Sequence, residues 1–356
     1  MKHIFNPEAH KTYGAYIGLK KLFILILAAV TILIGIVAIA SGSSKLTITQ
    51  VLLSLCGRGS PKTDIIVLSI RLPRIVTAIV AGIGLSVTGC VMQSILRNPL
   101  ASSSTLGVSQ GAAFGAALAI IVFNAGIQKQ TLDGIGFSNP YIVSICAFIG
   151  SMMSTMVILG LSKVKKTTPE VMILCGVALS SLFAGGTTLL QYFADDVKVA
   201  AVVFWTFGNL GSTSWREIII MSVSVCLSLV YFCFNSWNYN AVQNGESTAK
   251  GLGVDVDKMR LTGMAVCSFT ASVIVSYIGI INFIGLIAPH LMRRVVGSDY
   301  RFLLPASAFA GAVLLLLSDT LARLVVQPII LPIGAITSFL GAPLFMYLIF
   351  KSGKYV

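Results

Sequence analysis

The chain reads as an all-α integral membrane protein of about ten transmembrane helices, and three observations lead there. Of its 356 residues, 56% are hydrophobic and only 10% charged, with a mean hydropathy of +0.92, whereas soluble domains carry about 25% charged residues. The apolar residues gather in repeated runs of the length, roughly 20 residues, that crosses a hydrocarbon core of about 30 Å. The polar segments between those runs are short, and the basic residues cluster in them.

The runs are predicted at 22–40, 75–95, 106–123, 141–161, 170–193, 217–235, 261–279, 281–296, 304–322 and 334–350. The first follows Lys20-Lys21 and ends Ala38-Ile39-Ala40, features shared with a cleaved leader. Its length and the residues ahead of it favour a first transmembrane helix instead. The second is interrupted by Gly82 and Gly89. The third carries Gly107, Gly111 and Gly115 at i, i+4 and i+8, and such a small-residue face lets a neighbouring helix approach closely. The fifth opens with Thr168-Pro169-Glu170, which supplies a cap, a proline at the first helical position and an acid in the first turn. The sixth ends in Tyr231, Phe232, Phe234, Trp237 and Tyr239, an aromatic belt at a membrane interface. The eighth is short enough to be a half-buried helix, with Asn282 either capping it or facing the interior. In the ninth, Asp319 has Arg323 at i+4 on the same helical face, the spacing of a structural ion pair.

Three loops are too elaborate for plain connectors. Residues 41–70 form an outer loop. In 194–216, Trp205 and Trp215 bracket Phe207-Gly208-Asn209-Leu210-Gly211, which suggests a short interfacial helix. Residues 236–260 form the longest inner loop, polar and divided into short helical pieces by Gly251 and Gly253; a loop of that length is usually functional or disordered.

The net charge of +13 does not indicate nucleic-acid binding, because the basic clusters alternate with apolar runs. Lys20-Lys21, Lys163 to Lys166, Lys250 to Arg260, Arg293 to Arg301 and Lys351 to Lys354 all fall on one side if the N-terminus is cytoplasmic. The same count places the C-terminus inside. Arg71, Arg74 and Arg323 break the pattern by lying at outer span ends. They either snorkel to lipid headgroups or present a positive surface to an acidic partner.

The seven cysteines show no CxxC pair, so neither a disulfide framework nor a metal site is indicated. No G-x-x-x-x-G-K-[ST] loop occurs, so the chain cannot hydrolyse ATP alone. His290 reads as a histidine hydrogen-bonded to nearby backbone, and no catalytic constellation emerges. Asp319 is the one acidic residue inside an apolar run, which argues against proton or sodium coupling, since that needs intramembrane ionisable groups.

Eight segments together resemble the FecCD family of importer permeases. They are Arg71-Leu-Pro-Arg74, Arg97-Asn98-Pro99-Leu100-Ala101, Leu106-Gly107-Val108-Ser109-Gln110-Gly111-Ala112, Ala249-Lys-Gly-Leu252-Gly253, Gly285-Leu-Ile-Ala-Pro289-His290-Leu-Met-Arg293, Asp319-Thr-Leu-Ala-Arg323, Leu331-Pro332-Ile-Gly334 and Gly341-Ala342-Pro343. The likeness runs from about residue 20 to the end, and it departs from the family's usual pattern at Asn282. It implies a cytoplasmic tail at 1–21, a transmembrane permease domain at 22–350 and a second tail at 351–356, in a bacterial or archaeal plasma membrane.

The resemblance further implies a second copy of the chain as dimer partner, with the solute path between the copies. Two separate ATPase subunits would bind below, and they, rather than this chain, would hold ATP and magnesium. An extracytoplasmic solute-binding protein would dock above. Carried over by position, Arg71, Arg74 and Arg323 match its docking arginines. Asn98 and Leu100 match one cytoplasmic gate segment and Thr168 a second. Residues 246–260, with Ala249, Leu252 and Gly253, match the coupling helices that sit in the ATPase clefts. The expected solute is an iron chelate, with haem, cobalamin and oxyanions carried by relatives of similar pattern; the preference among them is analogy.

Two other classes compete with a partner-energised permease. An ion-coupled secondary transporter conflicts with the scarcity of intramembrane carboxylates. A membrane anchor or receptor needs only one or two spans, not ten rich in glycine.

Overall fold

Helix tracks hydropathy along nearly the whole chain, because a backbone crossing lipid must satisfy its own polar groups within each segment. The computed structural model describes residues 7–42, 46–126, 128–131, 134–137, 139, 141–164 and 168–352. The outermost parts of both predicted tails, 1–6 and 353–356, lie outside the described residues, as do Lys165 and Lys166 of the basic clusters.

In chain order the helices are α1 (Pro7–Ala40), α2 (Ile48–Leu55), α3 (Pro61–Asp64), α4 (Leu72–Ile95), α5 (Val108–Ile121), α6 (Tyr141–Val164), α7 (Pro169–Tyr192) and α8 (Asp196–Thr206). They continue with α9 (Trp215–Phe234), α10 (Ser236–Gln243), α11 (Glu246–Gly251), α12 (Val256–Ile278), α13 (Ile284–Val296), α14 (Tyr300–Leu324) and α15 (Ile333–Ser352). A π-helical segment, Ile65–Arg71, joins α3 to α4. Among the described residues, seven helices are long and apolar enough to cross a membrane alone, and α5 and α15 are shorter apolar helices. With α13, which has 13 residues and Arg293 and Arg294 in its last turn, these fall on the ten predicted runs.

The loops differ more from expectation. Residues 41–70 contain α2, with a Thr47–Gln50 capping box, and their last third is already helix. Arg71 and Arg74 therefore lie within a continuous helix rather than at its start. The short helix expected within 194–216 is α8, ending just before Phe207. The Phe207 segment is instead a connector that packs against backbone: Asn209 N donates to Ile278 O at 2.8 Å and Gly334 N to Phe207 O at 3.0 Å. A short antiparallel hairpin, Gln128–Thr131 with Gly134–Phe137, interrupts the helical order between α5 and α6.

The bundle is organised around α4, whose C-terminal half is almost wholly buried. Two of its glycines sit against backbone of other helices. A Cβ on Gly82 would meet Gly311 O of α14 at 2.5 Å, and one on Gly89 would meet Gly285 O of α13 at 1.9 Å. Buried hydroxyls bridge helices, as where Ser86 Oγ donates to Ser307 O at 2.8 Å. Interhelical bonds of this kind contribute about 0.6 kcal/mol each in a membrane.

The predicted glycine face of the third span meets α6. Cβ atoms built on Gly107, Gly111 and Gly115 would lie 2.5 Å from Ser154 Oγ, 2.4 Å from Gly150 O and 2.0 Å from Cys146 O. Gly107 is also the left-handed N-cap of α5, at φ 82°, a conformation that costs other residues energy.

Candidate functional site

Ionisable groups among the described residues collect at the two ends of the bundle. One end carries α2, α8 and the C-terminal ends of α1 and α14; the other carries α10 and α11.

At the α2 end, Asp319 on α14 is fully buried and bonded on both sides. Arg74 Nε lies 2.8 Å from its Oδ1 and Arg323 Nε 2.9 Å from its Oδ2. The predicted i+4 pair is present, and Arg74 is a second partner that sequence spacing could not reveal. The remaining donors serve α1, whose final carbonyls have no partner within their own helix. Arg323 Nη1 donates to Ser41 O at 2.8 Å and Nη2 to Ala38 O at 3.1 Å. Arg71 Nη1 donates to Ile39 O at 2.7 Å and Ala40 O at 3.0 Å.

Arg71, Arg74 and Arg323 therefore do not form the open positive patch suggested by their position at span ends. They are buried because burying a guanidinium becomes tolerable when a carboxylate and backbone carbonyls satisfy it. Arg74 does reach a cleft of about 400 Å³, lined also by Phe204, Phe207 to Leu210 and Ile329 to Ile333.

At the opposite end, the turn after α4 is set by local hydrogen bonds. Arg97 adopts φ 46°, and Asn98 Oδ1 accepts from Leu100 N at 2.8 Å, an Asx turn that leaves Leu100 exposed. Thr168 is the N-cap of α7. It lines a polar cavity of about 660 Å³ with Arg97, Pro169, Glu170, Glu246, Lys250, Asp257 and Arg260. The structure thus brings Thr168 beside Arg97 and α11, while Asn98 and Leu100 sit in the adjoining turn.

Within the 236–260 loop, α11 packs through Ala249, which is fully buried. Leu252 projects from the turn that follows and is 70% exposed; Gly253, at φ 83°, makes that turn possible. The start of α14 is fixed to the same loop, since Asn240 Nδ2 donates to Asp299 Oδ1 at 2.9 Å and Tyr300 N to Asn240 Oδ1 at 2.8 Å. Burial of Asp299 acts to raise its carboxyl pKa, but donation from Arg301 and Asn240 outweighs burial and holds it below the usual range.

Sequence reading missed Arg260, Glu246 and Asp257 as a unit. Arg260 is buried, ion-paired with Glu246 and 3.5 Å from Asp257. Arg260 stands at the end of the polar inner loop 236–260, and no spacing rule ties it to Glu246 fourteen residues earlier.

Of the two alternatives for Asn282 the capping one does not hold, and the expectation for His290 is corrected. Phe283, in the left-handed conformation, occupies the N-cap of α13 without a side-chain cap bond. Asn282 instead lines a cavity of about 360 Å³ with Leu85, Ser102 to Thr105, Ile281, Phe283, Gly285 and Leu286. His290 is not bonded to backbone: neither ring nitrogen has a hydrogen-bond partner among the described residues, and its ring packs edge-on to Phe345. No group of three or more candidate metal ligands occurs among them either.

The FecCD transport family matches residues 27–351. A Methanocaldococcus jannaschii protein described as an ABC transporter permease is 51% identical over 344 residues, covering 97% of this chain and 98% of that protein. The vitamin B12 import permease of Vibrio vulnificus is 33% identical, covering 98% of each. The hemin transport permease of Yersinia pestis is 35% identical, covering 80% of this chain and 83% of its own length. Among solved structures, an inward-facing transporter described as metal-chelate type superposes with a TM-score of 0.81 at 30% identity, covering 92% of this chain and 98% of that one.

Proposed function

The chain belongs to the FecCD transport family, and from that premise we propose that it is the membrane-spanning permease of an ATP-binding-cassette importer for a metal chelate. The observation that carries the reading is the division of charge in the bundle: ionisable groups lie at its two ends, each with partner-facing features, and the one carboxylate inside a predicted span, Asp319, is tied up by Arg74 and Arg323 rather than left to couple an ion gradient. An importer driven from outside the membrane needs that layout. The chain performs no chemistry of its own; ATP hydrolysis belongs to a separate subunit.

In this reading the α11 end faces the cytoplasm, with both termini on that side, and two ATPase subunits receive the turn around Leu252. ATP-driven closure pushes on α11, and rocking of the helices alternates access to a path between two copies of the chain. An extracytoplasmic binding protein delivers the solute at the α2 end, and its acidic residues engage the end carrying Arg71, Arg74 and Arg323 through the cleft that Arg74 lines. The solute is a large organic metal complex, a ferric siderophore in first place with haem and cobalamin as the close competitors.

The deciding experiment is uptake of radiolabelled ferric siderophore, haem and cobalamin by cells with and without the gene. Loss of one activity on deletion, restored by the gene, names the solute. If vesicles containing this chain alone accumulate solute under an ion gradient, the reading fails in favour of a secondary transporter.

Two substitutions test the two ends. Arg74→Gln leaves Asp319 paired with Arg323, and binding-protein docking should weaken at least tenfold while ATPase association persists; undiminished docking in a pull-down removes Arg74 from the interface. Leu252→Asp places a charge where an exposed apolar side chain meets its partner. Truncating a central interface anchor typically costs about 2 kcal/mol or more, so ATPase affinity should fall on the order of 30-fold. Retention of the ATPase through size-exclusion chromatography at submicromolar concentration would remove that role.

A further inference from the structure

Arg260 is 5% exposed, and its guanidinium reaches three places at once. One terminal nitrogen pairs with Glu246, the first residue of α11, and the other lies 3.5 Å from Asp257. Its Nε donates to Ile95 O at 3.2 Å. Ile95 is the final residue of α4, and its carbonyl is one of the four that a helix cannot satisfy internally. The turn holding Arg97, Asn98 and Leu100 begins one residue later.

A second side chain from the same end of the bundle also closes on α4. Tyr300 Oη donates to Cys90 O at 3.0 Å, and the backbone N–H of Tyr300 is held by Asn240 of α10. The last turns of α4 are therefore gripped by Arg260, at the end of the 236–260 loop, and by Tyr300 of α14, which Asn240 near the start of that loop holds. The polar cavity of about 660 Å³ beside Arg260 leaves space next to this grip into which α11 can move.

We propose that Arg260 is a positioning residue that transmits displacement of α11 to the gate turn at 97–100. This rests on the transport reading above. A guanidinium suits the task because its planar fork holds several acceptors in one fixed geometry, whereas a lysine ammonium is a point charge on a flexible stem. Lysine would keep the attraction to Glu246 but has no Nε–H for Ile95 O. Arg260→Lys thus separates a transmitting role from a merely electrostatic one.

The test uses the full chain assembled with its ATPase in lipid nanodiscs, with Cys56, Cys226 and Cys233 replaced by serine and spin labels on Leu100→Cys of the two protomers. The label separation is measured without nucleotide and with ATP bound to a hydrolysis-deficient ATPase. The wild-type separation should change on ATP binding, and in Arg260→Lys and Glu246→Gln that change should fall to less than half while the ATPase stays bound. A full ATP-dependent change in both variants overturns the strut and leaves the transport reading intact. An unresponsive separation in the wild type overturns the transport reading itself. Should Arg260→Lys fail to assemble, Glu246→Gln decides in the same terms, since the Glu246 side chain is 33% exposed and its amide keeps the shape.

Discussion

Replacing Asp319 with alanine will destabilise the protein by about 3–5 kcal/mol, the usual cost of removing one partner from a buried ion pair. The carboxylate is fully buried between Arg74 and Arg323, so its loss leaves two guanidiniums facing each other with no counter-charge between them. Repulsion will then pull Arg323 away from the carbonyls of Ala38 and Ser41 and loosen the end of α1. The thermal midpoint of the purified protein should drop by about 4–7 °C. Asp319→Asn, which keeps shape and one acceptor, should fall between the two. A midpoint for Asp319→Ala within about 2 °C of wild type would show that the triad contributes little to stability.

Gly115→Leu is expected to have the other large effect. The Cβ position already lies 2.0 Å from Cys146 O, and a backbone oxygen inside a helix cannot rotate out of the way. Helices α5 and α6 must separate along the whole contact that also includes Gly111, whose Cβ would sit 2.4 Å from Gly150 O. Overpacking a close-packed contact typically costs about 1–3 kcal/mol, occasionally more, and here the hydrogen bond from Ser154 Oγ to Leu106 O is strained as well. Gly160→Leu on α6 is the control, since nothing lies within 4 Å of its Cβ position. Yield of folded protein after detergent extraction should collapse for Gly115→Leu and stay near wild type for Gly160→Leu. Equal yields would show that the contact is looser than the structure draws it.

Hydropathy made the ten helices legible because membrane thickness imposes both length and composition on each span. The glycine register at 107, 111 and 115 was legible for a related reason: small residues repeating every four positions mark a helix face. What escaped were features whose partners lie far along the chain. Arg74 finds Asp319 across 245 residues, so three arginines at span ends looked like an open surface when they are a buried, bonded cluster. Arg260 and Glu246 are separated by the rest of α11 and a turn, and no periodicity connects them. The outer loop concealed α2 and the early start of the second span, because a short capped helix at a membrane surface has the composition of a loop. The short helix expected in 194–216 is α8, but the exact stretch it covers was not legible, since flanking tryptophans report interface depth and not backbone shape.

The capping of α1 by Arg71, just ahead of α4, and by Arg323 of α14 also bears on how the chain is made. α1 is synthesised before the other described helices, yet Arg323, which takes its carbonyls at Ala38 and Ser41, lies 285 and 282 residues downstream. At about 5–20 residues per second, the ribosome needs on the order of 15–60 s to deliver that guanidinium after the end of α1 has left it. Throughout that interval the carbonyls of Ala38 and Ser41 must be satisfied by water or lipid headgroups, while those of Ile39 and Ala40 can already be taken by Arg71. Biogenesis therefore closes this corner only after the ninth span has entered the bilayer, and a nascent chain truncated before residue 319 will show α1 inserted with its C-terminal end more open to solvent than in the full chain.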